Sequence, residues 1–389
     1  MDLKPTVSNN QLVVKNQHYQ TPLFFPDATL GVVRSLSSIE LKLLGLEGIV
    51  INTYHLKDHP GTEVLQKLGG VKQLMNWSGL AASDSGGFQL FSLIQKNPKL
   101  GKITDQGVTL YSGEKQRKKT LFTPEKSIQI QFAIGADIMV CLDDFTPHTF
   151  GEAAQKRVEQ SVSRTIAWSK RSKAEFQRQI EKRGLSENNR PLLLAPIQGQ
   201  RHWQLRQECA QELTKIGFDG YGLGGWPFDQ QGKFDYQLSQ FNAQLTPDDR
   251  FRFALGVGMP ENIVELFKMG YHIFDCVLPT RDARHQRLYV YQQDPTEIDF
   301  LSETNQQAQP DWYQFVYIDR GRFKTDQKPI SPYCDCYTCQ HHSRAYLNHL
   351  FKVKDALAIR LATTHNLRFY SRLVQELQKI NSKQSKKPL

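Results

Sequence analysis

The chain has 389 residues, 49 Lys and Arg against 39 Asp and Glu, a formal net charge of +10 and 39% hydrophobic residues. This composition supports a sizeable core, and the positive balance suits a polyanionic partner whose phosphates it would neutralise. No apolar run approaches the ~20 residues that a bilayer span needs, and Met1-Asp2-Leu3-Lys4-Pro5 lacks the apolar stretch of a signal peptide. The expectation is a cytoplasmic protein that binds no membrane.

In chain order, Gly48–Asn52 reads as a buried strand, followed by the weaker candidate Leu80–Ala82, then Asp137–Cys141, Leu192–Ile197, Tyr221–Leu223, Phe251–Leu255 and His272–Phe274. Continuous apolar runs separated by helical patterns mean parallel strands covered on both faces. Repetition of strand then helix over this length favours a single α/β unit of the (β/α)8 TIM barrel type. Polar or glycine residues close each run: Asn52, Ser83-Asp84-Ser85-Gly86-Gly87, Asp143-Asp144, Gln198-Gly199, Gly224-Gly225, Gly256-Val257-Gly258 and Asp275. Barrel enzymes build their sites at these strand ends, and a series holding three separate aspartate positions is more than turn chemistry.

Between the strands, residues 155–184 form a helical pattern rich in Lys and Arg, read as a solvated outer helix rather than an RNA contact. Residues 185–190 read as a loop, 295–310 as an inserted polar loop, and 379–389 as a basic, disordered tail.

Three of the six cysteines cluster in Cys334-Asp335-Cys336-Tyr337-Thr338-Cys339. Clustered thiols in a chain without a secretory signal suggest a metal, and thiolates suit tetrahedral zinc. The fourth ligand must come from His341, His342, His349 or His365. The first two follow Cys339 so closely that reaching the same ion strains the loop, and spacing does not choose between His349 and His365. Four protein ligands leave no open position, so the zinc, one per chain, is expected to be structural.

Several long motifs, in order from Val13 to Leu377, resemble the tRNA-guanine transglycosylase family. They are Ser83-Asp84-Ser85-Gly86-Gly87-Phe88-Gln89-Leu90-Phe91-Ser92-Leu93, Phe274-Asp275-Cys276-Val277-Leu278-Pro279-Thr280-Arg281-Asp282-Ala283-Arg284, the cysteine cluster, and His365-Asn366-Leu367-Arg368-Phe369-Tyr370. The resemblance implies a (β/α)8 barrel with a zinc-binding subdomain at about 311–370 and a homodimer. It implies His365 as the fourth zinc ligand, Asp275 as nucleophile and Asp84 as general acid/base. It further implies that Ser85, Gly86, Gly87, Phe88, Asp143, Gln198, Gly224 and Gly225 bind the base. RNA contacts are implied for Gly256, Val257, Gly258, Met259, Pro260, Glu261 and Asn262, and for Thr280, Arg281, Asp282, Ala283 and Arg284. The implied substrates are a tRNA with a G-U-N anticodon, guanine, and a 7-deazaguanine, preQ1 or queuine.

The residue types fit such a reaction. Guanine leaves C1′ with oxocarbenium character, a carboxylate can trap that carbon, and a second acid must protonate the departing base. The sequence departs from the family pattern at Asp144 and Phe145, at Gln200 and Gln286 where glycines are usual, at Asp282, and at Trp226-Pro227-Phe228-Asp229. Phe228, if it faces the pocket, would exclude the cyclopentenediol of queuine and favour preQ1. The sequence also admits base exchange on DNA, a non-catalytic RNA-binding partner subunit, and a barrel metallohydrolase.

Overall fold

The structure is a computed structural model; it describes residues 4–112, 118–146, 152–229, 231–302 and 310–384. Eight strands form one parallel sheet: β1 (Leu23–Pro26), β2 (Gly48–Asn52), β3 (Leu80–Asp84), β4 (Ile138–Val140), β5 (Leu192–Ile197), β6 (Gly220–Leu223), β7 (Phe251–Ala254) and β8 (Ile273–Cys276). Their order is β1-β8-β7-β6-β5-β4-β3-β2. The circle closes where Asp27 bridges Val50 and the Ala28 N–H donates to the Val50 carbonyl at 2.7 Å. The expected (β/α)8 barrel is therefore present.

Seven of the eight strands were legible as apolar runs. The exception, β1, has only Leu-Phe-Phe-Pro between Pro22 and Asp27, and prolines bracketing a short run argue against a strand. All four of its residues are nonetheless buried, because β1 pairs with β8 from Leu23↔Ile273 to Pro26↔Cys276. Three further pieces of β structure escaped the reading. They are a three-stranded N-terminal sheet over residues 7–20, a hairpin-rich insertion from Gly101 to Phe122, and the pair Arg287–Tyr291 with Tyr313–Tyr317.

The basic helical pattern becomes Glu152–Lys182, but it is not simply a solvated face. Ser161, Thr165, Ser169, Ser172, Glu175 and Gln179 are buried. Arg157, Ser161, Arg164 and Thr165, spaced to share one helical stripe, all grip Asp144. Arg157 donates both terminal nitrogens to its carboxylate at 2.9 and 2.6 Å, Arg164 adds a third contact, Ser161 donates to its carbonyl, and its N–H donates to Thr165 at 3.1 Å. Polarity marks this stripe as solvated only when the loop it will meet is unknown.

At the C-terminal end, helix Ala356–Gln384 packs against the barrel. The tail expected from 379 therefore begins as helix, with Lys379 paired to Glu376 at 2.9 Å, and residues 385–389 lie outside the described residues. Of the inserted loop at 295–310, Pro295–Glu297 forms one turn, Phe300 is buried, and 303–309 lie outside the described residues. No helix among the described residues is long and apolar enough to cross a membrane.

Candidate active site and metal cluster

The C-terminal ends of the strands surround a cavity of about 800 Å³. Asp84, Ser85, Phe88, Asp143, Gly224, Gly225, Gly256, Asp275 and Arg281 all line it. So does Asp27, which sequence reasoning missed. Had β1 been read as a strand, Asp27 would have stood in the series of strand-end polar residues.

Asp84 ends β3. Its Oδ1 accepts the N–H groups of Thr53 and Gly86, both at 3.1 Å, and its Oδ2 accepts Gln89 Nε2 at 3.0 Å and the Asn52 amide. Gly86 takes φ +80°, the left-handed turn that aims its N–H back at the carboxylate. Burial still dominates and pushes the Asp84 carboxyl up to about 7, with Asp27 adding repulsion. Asp275, on β8, accepts the Gly256 N–H at 2.9 Å; burial, then Asp27 and Asp84, raise it to about 7 as well.

Asp143 accepts Gln198 Nε2 at 2.6 Å and is pushed up to about 6 by burial, with Asp144 adding repulsion. Gln198 is fully buried beside Asp143, and its Oε1 is a buried acceptor with no partner among the described residues. Asp144 faces the other way, into the arginines of the long helix. Phe145 meets Phe88 edge-on at 5.2 Å and lines the cavity. Phe228 also lines it, between Trp226 at 5.4 Å and Phe234 at 5.6 Å.

The two segments expected to touch RNA are largely inward-facing. Thr280, Asp282 and Ala283 are buried, and Asp282 accepts Arg287 at 2.6 Å and the Tyr289 hydroxyl. Val257, Gly258, Pro260 and Asn262 are buried too, Glu261 accepts the Tyr313 hydroxyl, and Asn262 accepts that of Tyr236 at 2.7 Å. Arg281 is exposed and Arg284 half-buried, with one N–H lacking an acceptor among the described residues; Arg34, not singled out in the sequence, adds positive charge beside it.

Away from the cavity, the ligand atoms of Cys334, Cys336, Cys339 and His365 all lie within 4.8 Å of one another, a group able to hold a metal ion. His365 Nδ1 is 3.2 Å from Cys339 Sγ, while its Nε2 donates to the Tyr289 carbonyl at 2.8 Å. That outer hydrogen bond fixes the tautomer that leaves Nδ1 free to ligate. His349 is exposed on its helix and takes no part.

A closed barrel with carboxylates converging on one cavity at its strand ends, and a Cys₃His group set apart from it, has the layout of a (β/α)8 enzyme. The profile of the family described as queuine tRNA-ribosyltransferase matches residues 10–385. The chain is 37% identical over 361 residues to the queuine tRNA-ribosyltransferase of Mannheimia succiniciproducens, covering 92% of this chain and 85% of that one. It is 36% identical over 369 residues to that of Psychrobacter sp. (94% and 88%) and 36% over 360 residues to that of Francisella tularensis subsp. holarctica (92% and 88%). The chain belongs to the queuine tRNA-ribosyltransferase family, the pentosyltransferases known as tRNA-guanine transglycosylases.

Two outcomes are expected. Purified protein carries one equivalent of metal, lost in His365→Ala and kept in His349→Ala; metal analysis showing the reverse overturns the ligand set. The second concerns pH. The Asp275 carboxyl is raised in the folded chain, so between about pH 4 and 7 the folded state binds more protons than the unfolded state, and stability falls as pH rises through this window. Asp275→Asn is therefore expected to exceed the parent in urea resistance by about 1–3 kcal/mol at pH 8, with the gap closing towards pH 4. A gap that stays constant with pH would refute the burial argument.

Proposed function

We propose that this chain exchanges guanine at the wobble position of a tRNA with a G-U-N anticodon for a 7-deazaguanine, by double displacement through Asp275. The observation that carries the reading is the pair Asp84 and Asp275 facing one cavity from different strands, with burial raising both carboxyls. Asp84 adds repulsion on Asp275, an arrangement that favours one ionised nucleophile beside one protonated acid.

Asp275 forms a bond to C1′ as the C1′–N9 bond breaks. The bond pair leaves with guanine, which takes a proton from Asp84. The deazaguanine then returns a proton to Asp84, its N9 attacks C1′, and the ester bond to Asp275 breaks. Two displacements retain the configuration at C1′. Asp143 would accept from the N1–H and amine of the base. O6 would be held by the second Gln198 N–H and a backbone N–H of the Gly224-Gly225 turn. Phe88 offers a ring for stacking. Arg281, Arg284 and Arg34 supply cationic donors for the nucleotides next to the flipped base, which is most easily splayed out in a single-stranded loop. We read the Cys₃His group as a structural zinc, because four protein ligands close its shell, and the protein as a cytoplasmic homodimer.

For the incoming base we favour preQ1. With O6 held near Gly225, a substituent at position 7 projects past the same edge of the ring towards Trp226-Pro227-Phe228. Phe228 is backed there by Phe234, which leaves a cyclopentenediol little room.

Two experiments test this. Incubated with unmodified tRNA and labelled guanine, the protein is expected to incorporate label and to form a denaturation-resistant RNA adduct, both lost in Asp275→Asn. Incorporation into duplex DNA instead, or none by the parent chain, would favour the DNA or the non-catalytic reading. In competition against labelled guanine, preQ1 is expected to outcompete queuine, and Phe228→Gly to improve queuine use while leaving guanine exchange unchanged. Efficient queuine use by the parent chain would show that Phe228 does not gate the pocket.

A further inference from the structure

Arg206 sits near the start of the helix Trp203–Ile216, fully buried, with no carboxylate among its hydrogen-bond acceptors. Its Nε donates to the Gln200 carbonyl at 2.9 Å, Nη1 to the Ile197 carbonyl at 3.0 Å and to Asn242 Oδ1 at 2.8 Å, and Nη2 to the Gly224 carbonyl at 3.0 Å. These carbonyls flank the base-holding residues. Ile197 and Gln200 stand on either side of Gln198-Gly199, and Gly224 opens the Gly224-Gly225 turn.

A fully buried guanidinium whose hydrogen-bond acceptors among the described residues are all neutral is an expensive way to fill space. Burial pulls its pKa down to about 10. An apolar side chain would pack there at lower cost but would leave three carbonyls without donors. The planar fork of arginine satisfies them together, and the single ammonium of lysine does not reproduce that geometry. The surrounding backbone is close-packed to match. A Cβ on Gly199 would come within 2.6 Å of the Arg206 backbone, and one on Gly224 within 2.5 Å of the Ile197 carbonyl.

We propose that Arg206 is a positioning residue for base recognition: it clamps the loops after β5 and β6 together so that Gln198 and the Gly224-Gly225 turn address one base. The clamp touches neither the base nor the reacting carbon. Its loss should loosen the grip on the base more than the chemistry or the grip on RNA. This rests on the exchange reaction proposed above.

The test is steady-state guanine exchange into tRNA by the parent chain, Arg206→Lys and Asn242→Ala, with thermal melting and metal content measured alongside. Arg206→Lys is expected to keep its metal, to raise KM for guanine tenfold or more, and to leave kcat and KM for tRNA within threefold. Asn242→Ala, which removes one acceptor and keeps the arginine, should raise KM for guanine three- to fivefold, and it carries the test if the lysine variant does not fold. An unchanged KM for guanine in a folded variant, or equal losses in kcat and in both KM values, overturns the proposal. Failure of the parent chain to exchange guanine at all would instead sink the proposed function.

Discussion

Crowding of carboxylates at the mouth of the barrel is the constraint on which the rest of the structure depends. Asp27 follows β1, Asp84 ends β3 and Asp275 lies on β8, and burial together with repulsion from neighbouring carboxylates raises Asp84 and Asp275 to about 7. Such a cluster opposes folding, so the scaffold must offset it elsewhere. Around Asp84 the offset is local: two backbone N–H groups and two side-chain amides converge on a single carboxylate. Among the described residues Asp275 accepts a single donor, the Gly256 N–H. In the proposed reaction the acid, Asp84, would thus be held by four donors, while Asp275, the proposed nucleophile, keeps lone pairs that no other donor among the described residues occupies.

The barrel and its strand-end residues were legible because both leave periodic marks. Apolar runs recur, and a polar or glycine residue closes each. Asp84, Asp143 and Asp275 could be placed in that series before any coordinates. The residues that hold them in place could not. Arg157 and Arg164 read as ordinary helix surface and Arg206 drew no reading, since a run of residues does not say which loop will fold onto it. Asp27 was hidden by the prolines around β1. The RNA segments were legible as motifs but not as orientations: within a seven-residue helix, Leu278–Arg284, Arg281 and Arg284 reach solvent while Thr280, Asp282 and Ala283 turn inward.

The departures from the family pattern acquire physical meaning in the same way. Gln200 and Gln286, which stand where glycines are usual, adopt φ +48° and +65°. The backbone has kept the left-handed turn and accepted the cost of a side chain there. At Gln200 a contact accompanies that cost, since the amide reaches the Thr146 carbonyl and draws the loops after β4 and β5 together. Gln286 N–H closes a turn on Ala283, and its carbonyl receives the Ile318 N–H at 3.0 Å. Neither change reaches Asp84 or Asp275, so the substitutions alter how the pocket is supported while leaving the reacting groups in place.

The metal cluster acts on the cavity through the same kind of support. His365 is anchored to the Tyr289 carbonyl, and the next residue, Asn366, donates to the carbonyls of Pro279 and Arg287, both at 3.0 Å, while accepting the Tyr289 N–H. Pro279 begins the helix that carries Arg281 and Arg284, and the Tyr289 hydroxyl binds Asp282 on its inner face. One ligand and its neighbour thus connect the cluster to the arginines at the mouth of the cavity. A closed tetrahedral shell contributes folding free energy and no chemistry, but here that energy is directed at a particular place. Fixing His365 fixes Asn366, and Asn366 holds the first turn of the arginine helix against the C-terminal helix. A metal held there would lie outside the proposed reaction and would still help set where Arg281 and Arg284 stand.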